Sequence, residues 1–143
     1  MTISLGFYLD ANLTVPVFSP LDFEQATDGS TGPQVRVVYL GSSVANRKFE
    51  NDANSGVDPI MLSVYDNRPN AGQEVSSVKL ALDPNDLINA TPGHALALPS
   101  TILSGISNAI PIYVQVEDQT GSVGTDTSLS LTTNNIVETE LTP

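Results

Sequence analysis

Carboxylates crowd one short segment of the chain, and they are the residues best placed to do chemistry. Glu117 and Asp118 stand just before Thr120-Gly121, and Asp126 follows closely. Carboxylates at this spacing could share a calcium ion, serve as the acid pair of a glycosidase, or line the solvent-exposed face of a hairpin. The choice depends on the strands that position them.

The residues around the carboxylates alternate between apolar and polar, which predicts a β-hairpin. A turn at residues 119–122 places Ile112 opposite Leu129 on the apolar side. Glu117 and Asp126 then lie on the polar side as diagonal neighbours, about 7–8 Å apart between Cα atoms. A shift of the strand register by one residue would turn Leu129 toward water, so the burial of Leu129 specifies this register.

Metal binding and acid catalysis both lack the partners that they need. Calcium takes about six to eight oxygen ligands, and the EF-hand spacing is absent. Glycosidase acids need a cleft and usually sugar-stacking aromatics, and the chain has no tryptophan. His94 is the only histidine, and Ser104 is not in a G-x-S-x-G motif. We therefore predict that Glu117, Asp118 and Asp126 are solvated, and that the protein has no metal, no cofactor and no enzymatic activity.

The composition of the chain indicates one acidic domain without disulfide bonds. The chain has 143 residues, no cysteine and a formal net charge of -11, with only 15% charged residues. This charge argues against binding to nucleic acid and against attachment to an anionic membrane. The first ten residues, MTISLGFYLD, predict no signal peptide. We expect a single domain over 1–143, with 137–143 as a flexible C-terminal arm.

Short apolar-polar alternations separated by Pro and Gly predict many short strands. They lie at residues 3–9, 35–39, 60–64, 78–82, 94–98 and 112–116. In the second run, Val35, Val37 and Tyr39 form the alternating apolar face. Helical spacing is limited to one turn, which Asp83 can cap with Pro84 at its first position. The predicted fold is all-β: an antiparallel β-sandwich (Ig-like or jelly-roll-like) or a barrel, with at most one short helical turn.

Two polar segments are expected to be long loops, at residues 41–59 and 66–74. They carry three of the five basic residues, Arg47, Lys48 and Arg68. Long loops on a rigid sandwich are common recognition sites, so these three residues are the candidates for contact with a partner. The alternative is that their charges only keep the loops soluble.

Four stretches of the sequence resemble small β-rich structural proteins of tailed bacteriophages and prophages. They are YLGS (39–42), GVDPIMLSVYD (56–66), TPGHALALPSTILSGISNAIPIYVQVED (91–118) and LSLTTNN (129–135). The resemblance implies an Ig-like or related sandwich and a structural virion protein that binds a capsid lattice as a decoration protein. It also implies a homotrimer, synthesised in the host cytoplasm and found in the virion, with the major capsid protein or another virion protein as partner.

Two other functions stay open. The protein could be a tail or baseplate accessory protein, or it could be a carbohydrate-binding or adhesion module. A carbohydrate-binding module would need an aromatic platform, and the chain offers four Tyr and four Phe, most of them at strand positions.

Overall fold

A computed structural model describes residues 3–17, 21, 23, 32–68, 74–117 and 129–141. These residues form ten β-strands: β1 Gly6–Tyr8, β2 Gln34–Gly41, β3 Arg47–Asn51, β4 Met61–Asp66, β5 Val78–Ala81, β6 Leu96–Ala97, β7 Thr101–Leu103, β8 Ile110–Val116, β9 Leu129–Thr133 and β10 Ile136–Glu140. Short 3-10 helices lie at Val75–Ser77, Pro84–Ile88 and Ile106–Asn108. The predicted all-β class is confirmed. No helix in this part of the chain is long and apolar enough to cross a membrane.

The first sheet has four antiparallel strands in the order β1-β2-β8-β5. In it β8 pairs with β2 on one side and with β5 on the other, whereas β9 pairs with β4. The predicted hairpin is therefore wrong: Ile112 faces Val38, and Leu129 faces Asp66. Alternation shows which face of a strand is buried, and two strands on opposite sides of one core show the same alternation as two neighbours.

The other strands form two three-stranded antiparallel sheets, β10-β3-β7 and β6-β4-β9. Asp52 N donates to Asn135 O at 2.9 Å, which carries the pairing from β10 to β9. On the opposite side, Leu98, which lies between β6 and β7 in the chain, donates from its N–H to Ile60 O at 2.8 Å. Ile60 directly precedes β4. These bonds link the two three-stranded sheets on either side of residues 52–59, which separate β3 from β4.

The core lies between the four-stranded sheet and the two three-stranded sheets. Strands β2, β5 and β8 bury side chains against others from β3, β4, β7 and the residues preceding β4 and β7. The buried set is Val38, Leu40, Phe49, Ile60, Leu62, Val78, Leu80, Leu98, Ile102, Ile112 and Val114. Alternation predicted the buried faces of β4 and β8, as the full burial of Leu62 and Ile112 confirms.

The core face of β2 is the opposite of the predicted one. Val38 and Leu40 are buried, whereas Val35, Val37 and Tyr39 point away from the core. The strand is apolar on both faces, so a period of two residues could not select between them.

Two local predictions have different outcomes. The helical turn is confirmed, because the Asp83 side chain accepts from Asn85 N at 2.8 Å with Pro84 next in the chain. Residues 137–140, expected in a flexible arm, instead belong to β10. They pair with β3, where Glu138 lies opposite Phe49. The sequence IVETE has few apolar residues, which concealed this strand.

Candidate functional site

Arg47 and Lys48 are not at a loop tip, contrary to the prediction, because both lie in β3. Arg47 Nε is 3.5 Å from Glu138 Oε2, and Lys48 Nζ is 3.3 Å from Glu50 Oε1. Both cations are thus engaged within the sheet. The strand escaped recognition because RKFEN contains one apolar residue, Phe49, which is fully buried.

The remaining predicted residues lie at the opposite end of the sandwich or outside the described ranges. Arg68 is exposed just after β4, and its backbone N–H donates to Asp66 Oδ1 at 2.8 Å. Glu117 is exposed just after β8. Asp118 and Asp126 lie outside the described residues. The β8-β9 hairpin on which Glu117 and Asp126 were predicted to be diagonal neighbours does not form, because β9 pairs with β4. Across the described ranges, no three His, Cys, Asp or Glu side chains form a group that could hold a metal.

A polar cluster closes the end of the core near β10. The Glu138 carboxylate accepts from Ser4 N at 2.7 Å and from Ser4 Oγ at 3.0 Å, and it lies beside Arg47. Ser4 Oγ also lies 2.9 Å from the fully buried Ser42 Oγ. Both oxygens of Glu138 are therefore engaged by donors of the protein, and the cluster joins the start of the described chain to β10.

The 52–59 projection, as we name these residues between β3 and β4, is exposed along its whole length. The buried side chain of Asn51 forms hydrogen bonds with both ends of the projection. Asn51 Oδ1 accepts from Ala53 N at 2.8 Å, and Asn51 Nδ2 donates to Pro59 O at 3.3 Å. One side chain thus closes the loop where it leaves the sheet.

Further hydrogen bonds within the projection satisfy its own backbone. Ser55 Oγ donates to Asn51 O at 2.8 Å, and the N–H groups of Val57 and Asp58 both donate to Asn54 O at 3.2 Å. Val57 is nevertheless 70% exposed, so an apolar side chain is displayed on a loop that is already formed.

Gly56 allows the projection to lie close to the sheet. Its φ is +76°, and a Cβ at this position would come 2.7 Å from Glu50 Oε2. Glu50 is itself held by Lys48 and by Thr101, whose Oγ1 donates to it at 3.2 Å. The positive φ favours glycine at this position, and a larger residue would displace the Glu50 carboxylate.

A second surface is the outer side of the first sheet, which we name the tyrosine face. It comprises Tyr8, Tyr39, Tyr113, Val35, Val37 and Pro111. The strand register defines this face. Phe7 and Leu40 are paired and pack with the core. The next pair, Tyr8 and Tyr39, therefore points outward. On the next pair of strands, Tyr113 is opposite Val37.

Among the residues that the structure describes, two segments border the tyrosine face. At one border, the buried Leu13 packs over Gly41 at the end of β2. At another, the 3-10 helix Pro84–Ile88 contacts β5 and β8, and its buried Leu87 accepts a hydrogen bond at its carbonyl from Lys79 Nζ at 3.4 Å. Sequence reasoning missed this face because it assigned the apolar residues of β2 to the core.

Asp10 organises the turn that carries Leu13. Thr14 Oγ1 donates to Asp10 Oδ2 at 2.5 Å, and the N–H groups of Thr14 and Val15 each donate to Oδ1 at 2.9 Å. The Thr14 hydroxyl contributes most, followed by the Val15 N–H, to lowering the pKa of Asp10. Hydrogen bonds of this kind favour the charged carboxylate.

An open depression of about 360 Å³ lies between β5, β6 and the helix Pro84–Ile88. Its lining is Leu80, Ala81, Leu82, Asp86, Asn89, Ala90 and Leu96. The single titratable side chain in that lining is the exposed Asp86. This lining offers no second acid, base or nucleophile with which Asp86 could act.

No protein-family model, curated protein or solved structure matches this chain. The virion role implied by the sequence resemblance therefore stays a proposal, and the functional conclusion depends on the surfaces described above.

Proposed function

We propose that the protein is a non-enzymatic structural component that binds a protein lattice, and that the 52–59 projection makes the contact. The observation that carries this proposal is the exposure of Val57, at 70%, on a loop whose ends are both held by Asn51. An exposed apolar side chain on a formed loop is suited to fill a pocket on a partner.

Preorganisation favours this loop as a contact segment. Binding costs free energy for every loop and side chain that must be ordered. The projection is already ordered by its bonds to Asn51 and Asn54, so little of that cost remains. A single well-packed anchor can then contribute much of the binding free energy.

The charges around Val57 indicate the kind of pocket that would accept it. Asp52 and Asp58 are exposed on the same projection. A partner with an apolar socket and a basic rim would complement this arrangement, and complementary charges increase the association rate. Arg47 and Lys48 are occupied by glutamates and are less suited to the contact.

The concrete form of the proposal is a capsid decoration protein of a tailed bacteriophage, in which a homo-oligomer displays several projections to the shell. Its support is the sequence resemblance together with the preformed projection. A tail or baseplate accessory protein would use the same loop on a different virion protein. A carbohydrate-binding or adhesion module would not need Val57.

The test is co-sedimentation with undecorated capsids and, separately, with tails of a phage that encodes this chain. We expect the wild type to sediment with one of these particles. Val57→Ser should weaken binding about tenfold or more, which corresponds to about 1.4 kcal/mol. Val15→Ser is the matched control, since Val15 is also exposed, at 48%, but lies outside the projection.

Equal binding by the wild type and Val57→Ser would remove the projection from the contact. A wild type that binds neither particle but retains affinity for an oligosaccharide would reject the lattice proposal.

A further inference from the structure

We propose that the peptide bond between Asp58 and Pro59 is a self-cleavage site, at which the chain divides in acid without a protease. This inference concerns the covalent chemistry of the 52–59 projection, so it goes beyond the proposed function and does not depend on lattice binding. The reagents are the side chain of Asp58 itself and one molecule of water.

The chemistry of the bond between an aspartate and a proline permits this reaction. The protonated carboxyl of Asp58 attacks the carbonyl carbon of its own residue and closes a cyclic anhydride, so the carboxyl acts as a covalent nucleophile. The bond from that carbon to Pro59 N breaks, and the proton of the carboxyl passes to the nitrogen, which leaves as a secondary amine. Water then opens the anhydride. The net reaction is hydrolysis of one peptide bond.

The structure leaves the reacting groups of Asp58 unengaged. Asp58 and Pro59 are both exposed. The N–H of Asp58 donates to Asn54 O at 3.2 Å, but within the described residues no hydrogen bond or ion pair engages its carboxylate or its carbonyl oxygen. The side chain can therefore turn toward its own carbonyl carbon without breaking an existing interaction.

A second bond of the same type, between Asp83 and Pro84, provides an internal control. It is exposed as well, but Asp83 Oδ1 accepts from Asn85 N at 2.8 Å, and Asp83 O accepts from Asp86 N at 3.0 Å. Attack by this carboxyl would first break the helix cap and distort the 3-10 turn. Loss of such a cap corresponds to about a tenfold factor, so the structure favours cleavage at Asp58.

The reaction consumes the protonated carboxyl, so acid should accelerate it. The charged groups closest to Asp58 in this part of the fold are Asp52 on the projection and Glu50 at its base. Glu50 is engaged by Lys48, at 3.3 Å, and by the hydroxyl of Thr101. In the part of the chain that the structure describes, Asp58 has no basic partner that would hold its carboxylate in the charged form.

The rest of the fold would hold the two fragments together after cleavage. Strands β2 and β3 precede the cut, and they pair with β7, β8 and β10, which follow it. The core combines both fragments as well, since it contains Phe49 and Ile112. Asn51 would still bond to Pro59 O on one side of the cut and to Ala53 N on the other. Cleavage would thus open the projection and leave the sandwich assembled.

The experiment incubates the purified chain at the lowest pH at which circular dichroism shows it to be folded, and identifies fragments by mass spectrometry. We expect two fragments that end at Asp58 and begin at Pro59, with masses that sum to the chain plus one water. The fragments should sediment together until denaturant is added. Cleavage between Asp83 and Pro84 should be at least about tenfold slower. In urea at the same pH, both bonds should break at similar rates.

Asp58→Asn removes the attacking acid and should abolish cleavage at this bond. Asp52→Asn is the matched control, because it removes a charge from the same projection and should be cleaved like the wild type. Equal rates at the two Asp-Pro bonds of the folded chain would overturn the inference. So would a folded chain that resists cleavage at Asp58 while the chain in urea is cut there, or undiminished cleavage of Asp58→Asn. No capsid or tail is present, so these outcomes are separate from the Val57 test of lattice binding.

Discussion

Leu13 and Gly41 pack so closely that a Cβ on Gly41 would lie 2.9 Å from Leu13 Cδ1. Leu13 is 4% exposed and has a positive φ of 56°, which is unusual for leucine. The contact seats the turn of residues 10–15 on the end of β2. Glycine at position 41 is therefore a packing requirement, although Gly41 itself is in a strand.

Replacing Gly41 by alanine should destabilise the protein by about 1–3 kcal/mol, because the added methyl group overpacks a filled site. Urea unfolding of Gly41→Ala measures this. Gly6→Ala is the control, since a Cβ there would meet Tyr8 Cε2 at an ordinary 3.8 Å. In the double variant with Leu13→Ala, the penalty of Gly41→Ala should largely disappear. A penalty that persists there would place the conflict elsewhere.

Asp10 should make the stability of the protein depend on acidic pH. Its pKa is lowered in the folded state by Thr14 and Val15, so its contribution is present above the unfolded pKa of about 3.9 and is lost as pH falls through the folded pKa. Asp10→Asn should lower the melting temperature at pH 7, and the difference from wild type should shrink as the solution becomes strongly acidic. A constant difference at all pH values would contradict this.

Asn51 should control the order of the 52–59 projection more than the stability of the whole domain. Asn51→Ala removes two hydrogen bonds whose partners can turn to water, at a cost of about 1 kcal/mol. Hydrogen exchange at Ala53 should accelerate much more than exchange in β8. Asn51→Asp keeps the acceptor for Ala53 N, so it should protect that amide better than alanine does.

Burial distinguishes two residues of β8 and its end. Ile112→Asp places a charge at a fully buried position and should unfold the domain at a cost of several kcal/mol. Glu117→Ser, at an exposed position, should change stability little. Thermal unfolding followed by circular dichroism compares them. Equal effects would mean that Ile112 does not face the core.

The sequence predicted the fold class and the buried faces of several strands, but not which strands are neighbours. Alternation in β4 and β8 identified Leu62 and Ile112 as core residues, since burial of one face requires it. Pairing depends on long-range hydrogen bonds between backbone groups, which every residue type offers. The prediction that β8 and β9 form a hairpin was wrong for this reason.

The two candidate surfaces were predictable to different degrees. A polar segment containing the projection was visible in the sequence, but the hidden strand β3 divides it, and only the structure shows that Asn51 closes the loop. The tyrosine face was concealed because Tyr8, Tyr39 and Tyr113 are far apart in the chain and β2 is apolar on both sides.

The closure of the 52–59 projection by Asn51 also makes this loop suited to carrying foreign sequence. Because the bonds to Ala53 and Pro59 lie at the base, a peptide inserted between Ser55 and Gly56 would start and end at fixed points a short distance apart. Exposed loops with close ends accept insertions at small thermodynamic cost. The domain could thus display an antigen or an affinity tag between β3 and β4, with the strands on both sides left intact.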